Sequence, residues 1–174
     1  MFMTEVDLDR ALVVRPFRVA DQAEVRSLIL AGLEDRWSQL DDSLNGDLDD
    51  IATTYGKGLT LTAWFSNRLV GTGTLMPRDG HDAEVLRMST ASNYRGRGIA
   101  TRLLGDLLAE ARRRGVRTVV VETTADWADA RALYERNGFI LDREEDGEFC
   151  RDAFYFLHLG VADVGGEVPE SKLR

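Results

Sequence analysis

The sequence is poor in cysteine, histidine and positive charge, and it has no long apolar run. A single cysteine, Cys150, in 174 residues excludes an internal disulfide framework and fits a reducing compartment, so a cytoplasmic location is expected. The two histidines, His81 and His158, have no cysteine, acid or second histidine at metal-ligand spacing, so no metal is expected. No run of about 18 apolar residues occurs, which argues against a membrane-spanning helix. Residues 1–10 are acidic and lack an apolar core, so they read as a flexible leader rather than a signal peptide. Lysine and arginine total 22 against 30 acids, a net charge of −8, and that balance disfavours a nucleic-acid partner. A phosphate loop of the Walker type is excluded, because no glycine-lysine pair followed by serine or threonine occurs. Repeats and low-complexity tracts are absent too.

What remains is an ordinary globular composition, 44% hydrophobic and 30% charged, enough for one domain over residues 11–160 that buries about two thirds of its unfolded surface. Residues 161–174 have little to bury and are expected to be disordered. Residues 11–18 form a short strand candidate, and Asp21 is placed to cap a helix through Val25, Leu28, Ile29 and Leu33, with Glu24 completing a capping box. Residues 35–57 are acidic and turn-rich, with a short helix over 47–55. The β-rich runs 59–65 and 69–76 are joined through Ser66-Asn67-Arg68 as a hairpin. Residues 118–122 read as a buried strand, residues 126–136 as a helix stopped by Asn137-Gly138, and 139–142 and 153–159 as the last strands, joined near Asp146-Gly147.

The centre of the chain lies between these. Val85, Arg87 and Ser89 alternate with Leu86, Met88 and Thr90, a period-two strand beginning at Glu84. A basic loop with two glycines follows, Arg95-Gly96-Arg97-Gly98. Ile99, Leu103, Leu104, Leu107, Leu108 and Ala111 then recur at helical spacing, and Arg112-Arg113-Arg114-Gly115 supplies a basic last turn and a stop. A strand, a glycine loop and a helix N-terminus make an anion site, since unpaired amides and the helix dipole both favour negative charge there. With the strand after it this is one βαβ unit, so its two strands should be parallel, inside an α/β fold of mixed strand directions. A dinucleotide fingerprint is a rival reading of the loop, with Glu122 as the ribose acid, but Thr101 stands where that pattern needs glycine or alanine. A plain strand-to-helix turn is the other.

Two segments in order, Arg95-Gly96-Arg97-Gly98-Ile99-Ala100 and Ala130-Arg131-Ala132-Leu133-Tyr134-Glu135-Arg136-Asn137-Gly138-Phe139, resemble the R-x-x-G-x-G/A and A-x-x-L-Y-x-x-x-G-F signatures of the GNAT superfamily of N-acetyltransferases. The resemblance covers residues 59–159. It implies a mixed sheet of about seven strands, splayed at its centre and flanked by about four helices, with acetyl-CoA as co-substrate lodged in the opening. It implies that Met88, Ser89 and Thr90 hold the pantetheine arm and that Arg95, Gly96, Arg97, Gly98, Ile99, Ala100 and Thr101 hold the pyrophosphate. Trp127 stands where many members carry asparagine; it either replaces a cofactor contact or shapes the acceptor pocket.

The activity implied is transfer of an acetyl group to a primary amine, on a small molecule or a peptide, by direct attack in a ternary complex. A homodimer through the last strands is a further expectation of such folds. Tyr134, a phenol of ordinary pKa about 10, suits a general acid for a leaving thiolate, or else it is a packing aromatic. Glu84 and Glu122 are both candidate bases for the amine, acting through water. Residues 33–55, with Trp37, are expected to line the acceptor pocket, where Asp41, Asp42 and Asp47 point to a cationic acceptor or are simply solvated. The alternative function is a non-catalytic acyl-CoA sensor on the same scaffold, for which Trp127 is the motive.

Overall fold

Two adjacent residues with left-handed backbone, Ser66 (φ 48°) and Asn67 (φ 63°), turn strand β2 (Leu59–Phe65) into β3 (Arg68–Pro77). Such a two-residue turn matches the twist of antiparallel strands, and asparagine tolerates the left-handed region. Arg68 is therefore the first paired residue of β3, opposite Phe65, and not part of the turn. The computed structural model describes residues 11–37 and 40–160; the leader and tail expected at 1–10 and 161–174 lie outside them.

The other elements, in order, are β1 (Leu12–Pro16), α1 (Gln22–Glu34), the single-turn α2 (Ile51–Thr54), then β4 (Asp82–Thr90), α3 (Ile99–Arg113), β5 (Thr118–Thr124), α4 (Ala128–Arg136), β6 (Ile140–Asp146) and β7 (Arg151–His158). One seven-stranded sheet runs β1-β2-β3-β4-β5-β7-β6. Its only parallel pair is β4 with β5, as the glycine-loop crossover requires. That pair covers four positions, from Asp82 opposite Thr118 to Val85 opposite Val121. Beyond Val85 and Val121 the two strands part.

Side chains at adjacent strand positions point to opposite faces, and Val70 and Leu69 on β3 belong to different hydrophobic clusters. On one face, all six apolar positions read at helical spacing in α3 are buried against the sheet. That helix lies so close that a Cβ on Gly71 would come within 2.8 Å of Ile99 Cγ2. It ends as its sequence directs: Gly115 (φ 72°) closes it, with Val116 N–H bonded to Ala111 O and Gly115 N–H to Arg112 O. On the other face Val25 and Ile29 of α1 pack with Leu48 and Ile51.

Three local expectations are corrected. Asp21 does not cap α1: its backbone is already helical, and its carboxylate accepts from Arg18 N–H and both Arg15 nitrogens at 2.7–2.9 Å. A charge-assisted fork outcompetes a neutral amide. The 47–55 helix is broken into a 3-10 stretch, Asp42–Leu48, and α2, because Asp50 sits between them in a non-helical conformation and caps α2. The alternation along β4 also fails at Arg87, which has φ 54° and lies where the β3 register slips between Thr72 and Thr74. This bulge puts two residues where a regular strand has one. Val85 and Met88 therefore share the α3 face, while Arg87 and Ser89 reach toward α1 and the 3-10 stretch.

Candidate functional site

Where β4 and β5 part there is a cleft of about 560 Å³. Its walls come from β4 beyond Val85, the loop into α3, the end of β5, the face of α4 and the C-terminal half of α1. The β4 edge that faces the parting has no strand partner beyond Val85.

The loop into α3 supplies amides. Gly96 (φ 71°) and Gly98 (φ 79°) are both left-handed, and a Cβ on either would meet nothing within 4 Å. Glycine is needed here for backbone conformation, in front of open space. The first intrahelical bond of α3 runs from Arg102 N–H to Gly98 O, and Gly98 offers no side-chain cap. None of the described residues accepts from the amides of residues 96–101. Six successive amides at the positive end of a fifteen-residue helix suit a multiply charged anion such as a diphosphate.

The arginines of the loop are not equally placed. Arg95 lines the cleft but is committed to Asp35 at 2.8 Å and to Thr90 O at 3.2 Å. Arg97 turns away over the ring of Tyr94, 5.5 Å from its centroid, and Arg102 pairs with Asp106. The backbone, not the guanidinium groups, is the open part of this site.

Tyr134 lies across the cleft on α4. Its ring is 4% exposed and packs against Phe139 and Tyr155. Its hydroxyl has no hydrogen-bond partner among the described residues, yet no buried side-chain oxygen among them lacks one, so the hydroxyl opens into the cleft. Burial pushes the phenol above its ordinary pKa, which keeps it protonated. Glu122 lines the same cleft from the end of β5, and no described residue hydrogen-bonds or ion-pairs with it. Its carboxyl is raised, first by partial desolvation and then by the charges of Asp152 and Glu84. Trp127 precedes α4, with Trp37 edge-on at 6.0 Å and the Arg36 guanidinium 4.4 Å above its ring.

Two expectations are corrected here. Glu84 does not line the cleft: it lies in the paired base of the sheet, opposite Val120, beside Arg78 at 3.8 Å. Its charge is one of those that raise the Glu122 carboxyl. Nor is Asp47 free for a cationic acceptor. Arg87 takes both its oxygens at 2.9 and 2.5 Å, and Tyr55 donates to it as well. Asp41 is likewise used, accepting from Ser43 N–H and Oγ.

The family model described as "Acetyltransferase (GNAT) family" matches residues 23–139. The chain belongs to that family. Among curated relatives it is 34% identical over 80 residues to the uncharacterized N-acetyltransferase YsnE of Bacillus subtilis, covering 45% of this chain and 53% of that protein. It is 35% identical over 106 residues to the N-acetylaspartate synthetase of Danio rerio, covering 59% and 38%. The chain thus spans about half the length, or less, of the curated relatives it matches. Its fold is that of a GNAT acetyltransferase from Staphylococcus aureus, at a TM-score of 0.75 and 19% identity, covering 85% of this chain and 99% of that one. The same holds for yncA of Salmonella typhimurium, solved with its cofactor acetyl-CoA, at 0.69 and 18%, covering 91% and 99%.

Within this GNAT frame the cleft gathers Met88, Ser89, Thr90, Arg95, Gly96, Gly98, Ile99, Ala100, Thr101, Glu122, Trp127 and Tyr134. Of the site residues named from sequence, Arg97 and Glu84 stay outside. Of the segment 33–55 expected at the acceptor pocket, Leu33 and Arg36 line the cleft; the sequence reading missed Asp129, which also lines it, and its pairing with Arg36 at 2.7 Å. The two partners are 93 residues apart, and no local pattern links them. No helix among the described residues is long and apolar enough to cross a membrane.

Proposed function

We propose that the chain transfers an acetyl group from acetyl-CoA to a primary amine by direct attack, with both substrates held in the cleft. The observation that carries this is the row of unpaired amides at residues 96–101, whose residues other than Arg97 line the same cleft as Tyr134. The amides of residues 96–101 would hold the diphosphate of the donor. The exposed β4 edge at residues 88–90 would hold its pantetheine arm, and an outward β4 amide there would donate to the thioester oxygen as charge develops on it.

Glu122 would take a proton from the acceptor ammonium through water, which its raised carboxyl favours. The freed nitrogen then bonds to the acetyl carbon as the carbon–sulfur bond breaks, and it gives up its second proton to water. Tyr134 would pass its proton to the departing sulfur and recover one from solvent. The products are an acetamide and free coenzyme A. The same cleft without turnover would be an acyl-CoA sensor, a reading favoured only by Trp127.

Release of free thiol from acetyl-CoA across a panel of amines separates the two readings. Turnover by the wild type is expected, and Tyr134→Phe should reduce kcat by about a hundredfold or more, the usual contribution of a general acid. Affinity for coenzyme A, measured by calorimetry, should stay near wild type. Wild-type binding without turnover on any amine would leave the sensor reading, and undiminished turnover in Tyr134→Phe would leave that residue as packing.

A further inference from the structure

Asp35 and Arg36, the two residues that follow α1, reach opposite walls of the cleft. Asp35 accepts from Arg95 at 2.8 Å, and Arg95 also donates to Thr90 O, so this contact ties α1 to the β4 wall. Arg36 grips both oxygens of Asp129 at 2.9 and 2.7 Å. Asp129 stands in the first turn of α4, on the β5 wall. The root of this arm is fixed, because α1 runs so close to β4 that a Cβ on Gly32 would lie 2.7 Å from Ser89 Oγ. β4 and β5 themselves hydrogen-bond only at the four positions of the base. Elsewhere in the parting, the dipeptide bridges the two walls with a pair of opposite sign on each side.

We propose that Asp35-Arg36 is a clasp across the mouth of the cleft, and that its two ion pairs set how fast the acyl donor's arm enters and leaves. This rests on the cleft being the acetyl-CoA site. The pairs are partly exposed, with Asp35 at 46% and Asp129 at 63%, so they add little to fold stability. Their placement makes them matter to an opening motion instead. The clasp positions both walls at once: Trp37, the next residue, meets Trp127 edge-on beside the Arg36 guanidinium that lies over the same ring. Arg95 has a second role, because Asp35 occupies a guanidinium beside the amides that would receive the diphosphate. Entry of the donor thus competes with half of the clasp, and closure of the Arg36–Asp129 half follows without such competition.

The test is stopped-flow binding of coenzyme A to the full chain, followed by tryptophan fluorescence. Asp129→Asn should raise the dissociation rate by about fivefold, what a partly exposed pair of about 1 kcal/mol can bring. Asp35→Asn should raise the association rate, since Arg95 is then released to the incoming anion. The charge-exchanged double variant Arg36→Asp with Asp129→Arg should restore the dissociation rate toward wild type, with thermal midpoints unchanged within a few degrees throughout. Wild-type binding with unaltered rates in both single variants would overturn the clasp alone. So would altered rates in Asp129→Asn that the exchanged pair fails to restore, which would make Arg36 and Asp129 local packing. A wild type that does not bind coenzyme A would overturn the functional reading as well.

Discussion

Charged groups far from the cleft are satisfied by their own neighbours, whereas the start of α3, Tyr134 and Glu122 are left open at the cleft, beside paired residues such as Arg36, Asp129 and Arg95. At the start of α2 the Asp50 carboxylate accepts from Thr53 N–H and Oγ1, and both bonds hold it below its usual pKa range. Asp21 is locked by Arg15 and Arg18, and Glu110 is drawn down to about 2 by Arg113 and Arg114. At the cleft α3 starts with no cap, Tyr134 offers a hydroxyl to open space, and Glu122 is raised rather than lowered. A chain that caps a four-residue helix but leaves a fifteen-residue one uncapped has not run short of capping residues. The open groups share one cavity, and free donors at a helix start suit an anion.

The strongest way to break this contrast is to give α3 the cap it lacks. Gly98→Asp places a carboxylate at the N-cap position, where it can accept from the same amides. Its left-handed φ of 79° strains any side chain, though aspartate tolerates that region better than most. A like charge set beside a diphosphate costs several kcal/mol, so coenzyme A affinity should fall by about a hundredfold or more. Gly98→Asn carries the same strain without the charge and should lose far less. Calorimetric titration with coenzyme A measures both, and equal losses in the two variants would assign the effect to backbone conformation instead of the anion site.

Glu122 sharpens the contrast through pH. A carboxyl raised in the folded state favours folding below its ordinary pKa, and that contribution is lost as pH rises through the raised value. The proton acceptor, by contrast, exists only above that value. In wild type kcat/KM should therefore fall on the acid side at a pH above the ordinary glutamate pKa. Glu122→Gln should lower kcat/KM at neutral pH by about tenfold to a hundredfold and flatten that limb, while gaining thermal stability relative to wild type as pH rises. A variant that keeps the wild-type acid limb would move the base elsewhere.

What the sequence made legible follows the range over which each signal acts. The six buried positions of α3, its glycine stop and the loop before it are set by contacts within a few residues, and each stands where spacing puts it. The pairing of β4 with β5 followed from chain connectivity, since one crossover at that length must be parallel. The bulge at Arg87 was not legible, because it is fixed by Asp47 and Asn45, 40 and 42 residues away, which draw a strand residue to the wrong face. For the same reason Asp47 read as a free acid when it is the partner of Arg87 and Tyr55. Tyr55 shows how enclosed that cluster is: burial and its bond to Asp47 push its phenol up to about 12. The pairing of Arg36 with Asp129 escaped notice because ion pairs between distant segments leave no periodicity. Glu84 and Glu122 read as equivalent strand-end acids, and only the position of the parting, just past Val85 and Val121, separates them.

The smallest effect tests the other half of the contrast. Asp50→Ala removes a cap whose amide then faces water at a short, exposed helix start, so the loss is limited to the cap bond itself. Such losses shift the thermal midpoint of a chain this size by about 2–4 °C. Because the Asp50 carboxyl is held below its usual range, the stability it adds is present above the ordinary carboxylate pKa and fades as pH falls further. The difference in midpoint between wild type and variant should therefore shrink on acidification. Coenzyme A affinity should not change, since no residue of α2 lines the cleft. If Asp50→Ala weakened binding as well, α2 would be part of the site, and the division between satisfied and open regions would have to be redrawn around Arg87.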